Sequence, residues 1–205
     1  MTTFEQGHGL IIGVGADLPN TVQDAAGLAE MLQDPARCAY ARDQVHLLTG
    51  EEATREHILN ALDTLARTTD EEATIIVYYS GHGYQVRSPM GEFYYLLPYG
   101  YQMAQLYQTA INGAEFTQKL RALPAQKLLL LLDCCHAGGV GEAKAPQPAG
   151  MQMSKSPLPP EAQSLLTEGN GRVIIASSRQ DERSFAGKPY SAFTLALIEA
   201  LAGAG

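Results

Sequence analysis

An α/β sandwich built on a parallel sheet is the fold class predicted by this 205-residue sequence, and two features predict it. Its short apolar runs are continuous rather than alternating, as in strands covered on both faces. Stretches with helical spacing lie between those runs, and that alternation marks a parallel sheet flanked by helices.

Leu10 to Val14 is the first run, Val45 to Thr49 a weaker second, and Thr74 to Tyr79, Lys127 to Leu132 and Arg172 to Ala176 complete the set. Asn20 and Thr21 are candidate caps of a helix whose apolar face carries Val22, Ala25, Leu28, Ala29 and Leu32. Thr54 opens another through Ile58, Leu62 and Leu65. Phe116, Leu120 and Leu123 mark a third, and a fourth helix within Tyr190 to Leu201 follows the last run. From Val140 to Gly171, Pro146, Pro148, Pro157, Pro159 and Pro160 interrupt a Gly, Ser, Gln and Ala background without period, which predicts a long exposed loop. One strand and one helix after it are too little for a separate core, so residues 1–205 are expected to form a single domain.

Composition narrows the function classes. With 45% apolar and 18% charged residues the chain is neither collagenous, mucin-like nor wholly disordered. A chain of this length buries roughly 70% of its unfolded surface and needs no disulfide or metal staple. Lys plus Arg is 14 against 22 Asp plus Glu, a net charge of −8. That balance argues against a nucleic-acid partner held by its phosphates and favours basic ligands, although it also serves solubility alone. Three cysteines, two of them adjacent as Cys134 and Cys135, are not a disulfide framework and suit a reducing compartment. Met1 to Gly9 lacks a basic segment followed by an apolar stretch. No run approaches the roughly 20 residues of a membrane span. A cytoplasmic protein without membrane partners is expected.

In a parallel sheet, ligands bind beyond the carboxyl ends of the strands. Ser80-Gly81-His82-Gly83 follows the third run, and Asp133-Cys134-Cys135-His136-Ala137-Gly138-Gly139 follows the fourth. An imidazole beside a thiol can take its proton and later deliver it to a leaving amine. The N–H groups of Gly83 and Cys135 suit an oxyanion. Taken singly, His82 reads equally as a strand-end histidine and Cys135 as a small buried hydrophobe; their pairing at two strand ends favours catalysis. Period-two geometry turns Asp133 and Cys135 to one side and Cys134 to the other, making Cys134 a packing residue, with a nucleophilic or resolving-thiol role as its alternative. Cys38 is read as structural, and His8, His46 and His57 lack metal-site spacing.

Tyr78-Tyr79-Ser80-Gly81-His82-Gly83 followed by Asp133-Cys134-Cys135-His136-Ala137-Gly138 resembles the caspase-like cysteine peptidases, specifically the metacaspase and bacterial orthocaspase branch. There the cysteine motif usually reads Asp-Ser-Cys-His-Ser-Gly, which puts Cys135 in the nucleophile's place and His82 in that of its base. The resemblance implies a three-layer sandwich, with a large-subunit-like part over 1–140, a flexible linker over 141–171 and the start of a small-subunit-like part over 172–205. It implies cleavage after Arg or Lys, with Asp24 and Asp133 in the pocket for that side chain. Asp24 also suits the positive end of a helix dipole. Ser177 is expected in another wall of the cleft. Relatives are cut in the linker, where Lys144 and Lys155 are the candidate self-cleavage positions; a flexible tether is the other reading.

Two departures from the family pattern matter. Many metacaspases need calcium, held partly by paired aspartates where this chain has Ile111-Asn112-Gly113-Ala114-Glu115. Two lost carboxylates leave too few hard oxygen ligands, so no calcium requirement and no other cofactor is expected. The family also supplies a strand after the last helix. Its place would fall to a missing C-terminal segment or a partner, or the sheet edge stays exposed. Rival readings are a catalytically silent caspase-fold scaffold and a thiol redox or metal protein using Cys134 and Cys135, the latter disfavoured because adjacent cysteines lack the two-residue separation of such sites.

Overall fold

Parity along the strands decides which helix each apolar side chain meets. The computed structural model describes residues 3–134, 151–154, 158, 171–177 and 189–203. The strands β1 (Gly7–Gly13), β2 (Val45–Thr49), β3 (Thr74–Ser80), β7 (Lys127–Asp133) and β9 (Arg172–Ala176) form a parallel sheet in the order β2-β1-β3-β7-β9. Leu10, Ile12, Ile75, Val77, Tyr79, Leu128, Leu130 and Leu132 share one apolar cluster with α2 (Arg55–Thr68) and α4 (Gly113–Arg121). Their strand neighbours Ile11, Ile76, Tyr78 and Leu131 face the other way, onto α1 (Asn20–Gln33). Phe193, Leu197 and Leu201 of α5 (Ala192–Leu201) pack against that second cluster. The mainly parallel sheet therefore has helices on both faces, as predicted. Fully burying each such side chain contributes about 1.5–3 kcal/mol, so a one-residue slip would be prohibitive.

A second sheet is antiparallel and lies outside the sequence expectations. It consists of β4 (His82–Ser88), β5 (Gly91–Leu97), β6 (Ile111–Asn112, after the short α3, Leu106–Thr109) and β8 (Met151–Ser154), in the order β6-β5-β4-β8. Its outer turn uses Gly91 at φ 127°, a conformation side chains resist. The strand β8 corrects the expected uninterrupted loop over 140–171: Val86, Gln85, Tyr84 and Gly83 pair in register with Met151 to Ser154. Leu158 is also buried, in the cluster beneath α2 and α4. Four residues are too few to display a period, and backbone pairing with β4 supplies the order instead.

Two caps differ in outcome. Thr54 caps α2 as predicted, accepting the His57 N–H at 3.2 Å. At α1, however, neither Asn20 nor Thr21 is a side-chain cap, since the helix starts at Asn20 behind Pro19. The Thr21 hydroxyl instead accepts the Gly15 N–H at 2.8 Å and donates to the Leu18 carbonyl at 2.8 Å, tying down the loop after β1. The last helix begins at Ala192, with Ser191 as its cap accepting the Thr194 N–H.

Across the β7–β9 boundary, Arg172 donates to the carbonyls of Leu123 at 2.8 Å, Ala125 at 3.1 Å and Leu120 at 3.4 Å. At the sheet's rim, β9 exposes Val173 by 50% and Ile175 by 40%.

Candidate active site

Register brings Gly13, Ser80 and Asp133 level at the carboxyl edge of the parallel sheet. The backbone beyond that edge is tied together: Val14 N–H donates to Ser80 O at 3.0 Å, Gly81 N–H to Asp133 O at 3.2 Å, and Ser177 N–H to Leu132 O at 3.0 Å. The turn that carries His82 is thus bonded to the chain that runs on toward Cys135.

Tight packing fixes that turn. A Cβ at Gly81 would stand 2.7 Å from Val14 Cγ2 and 2.8 Å from the Tyr79 hydroxyl, so only glycine fits. The Tyr79 hydroxyl, whose ionisation is pushed well above its ordinary range by burial, donates to the carbonyls of Leu97 at 2.8 Å and His82 at 3.2 Å. His82 Nε2 lies 2.9 Å from Asp17 Oδ2, with the His82 side chain 5% exposed and that of Asp17 52%. His82 Nδ1 is buried and has no hydrogen-bond partner among the described residues. Gly83 is buried in β4, level with Leu96 of β5 and Ser154 of β8.

A second cluster forms on the α1 face. Asp24 and Asp133 are 1% and 2% exposed, and Ser191 joins them: its N–H donates to Asp24 Oδ1 at 2.8 Å and its hydroxyl to Asp133 Oδ2 at 2.8 Å. Burial, reinforced by the Asp133 charge and opposed by the Ser191 N–H, raises the Asp24 pKa to about 6. Asp24 makes no ion pair among the described residues. One helical turn on, Gly27 leaves room for the Tyr190 ring, which a Cβ there would meet at 2.4 Å. The Tyr78 and Thr194 hydroxyls, 2.7 Å apart, pin α5 to β3 below the acids.

The predicted positions fall into three groups. Asp24 and Asp133 come together, and His82, Gly83 and Ser177 stand at the same sheet edge. Cys134 is 1% exposed in the cluster beneath α2 and α4, on the face opposite Asp24, as strand parity predicts. Cys135, Lys144 and Lys155 lie outside the described residues. Sequence reasoning missed Asp17 and Ser191. Asp17 sits just past β1, where site residues were sought, and Ser191 precedes an apolar helical period, the ordinary mark of a cap.

The side-chain oxygens of the Ile111 to Glu115 segment have protein partners. Asn112 Oδ1 accepts the Ala114 N–H at 2.8 Å, and both Glu115 oxygens accept from Arg55 Nη2 at 2.7 and 2.8 Å. These oxygens already accept hydrogen bonds from protein donors. Among the described residues there is no cluster of three or more His, Cys, Asp or Glu able to hold a metal, and no helix is long and apolar enough to cross a membrane.

Comparison with known proteins places this arrangement. A family model described as the caspase domain matches residues 6–205. No curated protein matches the chain. Among solved structures, it is similar to protein GSU0716 from Geobacter sulfurreducens at 22% identity and a TM-score of 0.50, over 65% of this chain. That match spans about half, 52%, of the GSU0716 chain, and it speaks for the fold. The parallel five-stranded sheet, the histidine turn after β3 and the family match over nearly the whole length place this chain in the caspase-domain family.

Proposed function

We propose that this chain is a cysteine endopeptidase, similar to the metacaspases and orthocaspases, that hydrolyses peptide bonds after arginine or lysine. The observation that carries the specificity is the Asp24–Ser191–Asp133 cluster: two carboxylates are buried beside the histidine turn, and burial, with the Asp133 charge, raises the proton affinity of Asp24. A guanidinium or ammonium supplies a compensating cation, and arginine offers the forked hydrogen bonds that suit paired carboxylates.

In this reading Cys135 gives its thiol proton to His82 while the sulfur forms a bond to the scissile carbonyl carbon. Gly83 and Cys135 N–H groups receive the oxyanion. The carbonyl re-forms as the C–N bond breaks, and His82 passes its proton to the leaving amine. Water, deprotonated by His82, then attacks the thioester; the acid leaves and the proton returns to sulfur.

A fluorogenic arginine peptide tests this. Hydrolysis abolished in Cys135→Ala and retained in Cys134→Ala supports the reading, whereas a preference for aspartate before the cut bond removes the basic pocket. No turnover of any peptide by the wild type favours the silent scaffold. The committed oxygens of Asn112 and Glu115 support activity independent of calcium, so a chelator is expected to leave the rate unchanged. Self-processing after Lys144 or Lys155 belongs to the same proposal; identical intact masses for wild type and Cys135→Ala under turnover conditions would remove it. The reactive thiol suits a cytoplasmic, reducing setting. The exposed apolar rim of β9 supports a further strand there, from a continuation of the chain or a partner.

A further inference from the structure

We infer that Asp17 is the positioning residue of His82: it fixes which ring nitrogen carries hydrogen, and so makes Nδ1 the base. This rests on the cysteine peptidase reading above. A carboxylate accepts hydrogen bonds and donates none, so the 2.9 Å contact with Asp17 Oδ2 requires the hydrogen on Nε2. The lone pair is then on Nδ1, the atom that is buried and has no partner among the described residues. An orphaned basic nitrogen in an interior costs stability unless a proton donor reaches it, which makes it the expected acceptor of the thiol proton.

The loop is built to hold Asp17 in place. Ala16, immediately before it, has φ 55°, a left-handed conformation that a β-carbon disfavours, and Gly15 has φ 69°. Two bonds to the Thr21 hydroxyl and the Leu18 N–H to Gly15 O bond at 2.9 Å lock that geometry. The Thr21 hydroxyl is spent on this loop rather than on capping α1, so local structure gives up a helix cap where it gains a fixed carboxylate. Asp17 also faces Tyr101, whose ionisation is raised by burial and then by the Asp17 charge. When His82 takes the proton, the carboxylate at Nε2 stabilises the imidazolium without moving, and the ring stays aligned for the return transfer to the amine.

The test compares Asp17→Ala, Asp17→Asn and Asp17→Glu in the full chain. With an arginine peptide, kcat is expected to fall about 10- to 100-fold in Asp17→Ala with KM within about twofold, because an oriented base supplies a large share of general acid–base catalysis. Asp17→Asn keeps an acceptor but no charge and falls between; Asp17→Glu recovers most of the loss. Wild-type kcat in Asp17→Ala, or a loss confined to KM, overturns the inference. Nitrogen-15 spectra of the imidazole give a second readout that needs no turnover: the wild type is expected as the Nε2–H tautomer, and Asp17→Ala as a mixture. A wild-type ring protonated on Nδ1 alone overturns it. If the wild type neither turns over peptides nor is labelled at Cys135 by an arginine chloromethyl ketone, the peptidase reading fails, while the spectra still decide whether Asp17 fixes the ring.

Discussion

His82 and Asp24 are both buried, titratable and set at the same edge of one sheet, yet the protein treats them oppositely. The histidine has a charged partner: Asp17, half in solvent, meets one ring nitrogen and leaves the other open. Asp24 has hydrogen bonds but no countercharge among the described residues, and a second carboxylate shares its serine. The first arrangement, in the proposed reading, leaves a ring nitrogen to take a proton. The second, in the same reading, is where a substrate cation would sit. Reaction and recognition, so proposed, occupy separate parts of one rim.

The largest expected effect breaks the recognition half. Asp24→Asn combined with Asp133→Asn is expected to lower kcat/KM for arginine peptides by about a thousandfold, since removing a buried charge partner costs about 2–5 kcal/mol. Reactivity of Cys135 toward iodoacetamide should persist; its loss would show that the two halves are not separable. A smaller effect sharpens the comparison through pH. As pH falls through about 6, Asp24 takes a proton, so benzamidine, a cation without a reactive group, should bind about tenfold more weakly per pH unit below that point. Asp24→Asn should flatten the dependence.

Stability shows the same asymmetry with opposite sign. The folded chain holds the Asp24 proton more tightly than the unfolded one, whose carboxyl titrates near 3.8. Stability from this group is therefore full at low pH and declines as pH rises through about 6. Asp24→Asn, which keeps the oxygen that Ser191 needs, is expected to raise Tm at pH 7.5 and to change it little at pH 4; melting curves at both values check this. Smallest is Ser191→Ala, which removes a helix cap and one bond to Asp133 for about 0.5–2 kcal/mol, or roughly 1–8 °C in Tm at about 2–4 °C per kcal/mol. A variant with unchanged Tm would mean that Ser191 does not brace the acids.

The legible parts of this molecule were those with a local cause. Continuous apolar runs announced all five parallel strands, most clearly β1, β3 and β7, which bury both faces, and strand parity alone sent Cys134 into the core. The hairpin of β4 and β5 was not announced: its outer residues Arg87, Ser88, Gly91 and Glu92 are exposed and carry no apolar period. Asp24 and Asp133 could be named from motif resemblance, yet their common serine could not, because Ser191 reaches Asp24 across the chain from the far end of the fold. Asp17 was invisible for a similar reason. Its contact with His82 depends on a left-handed alanine, and no composition or spacing predicts that conformation.

Arg172 gives the fold a property that its covalent path does not require. Its guanidinium grips the carbonyls of Leu120 at the end of α4 and of Leu123 and Ala125 just beyond it, β9 pairs with β7 along its whole length, and Tyr78 meets Thr194 beneath the acids. Severing the chain anywhere between Cys134 and Gly171 would leave all of these intact. These contacts would still join the two pieces on either side of the cut.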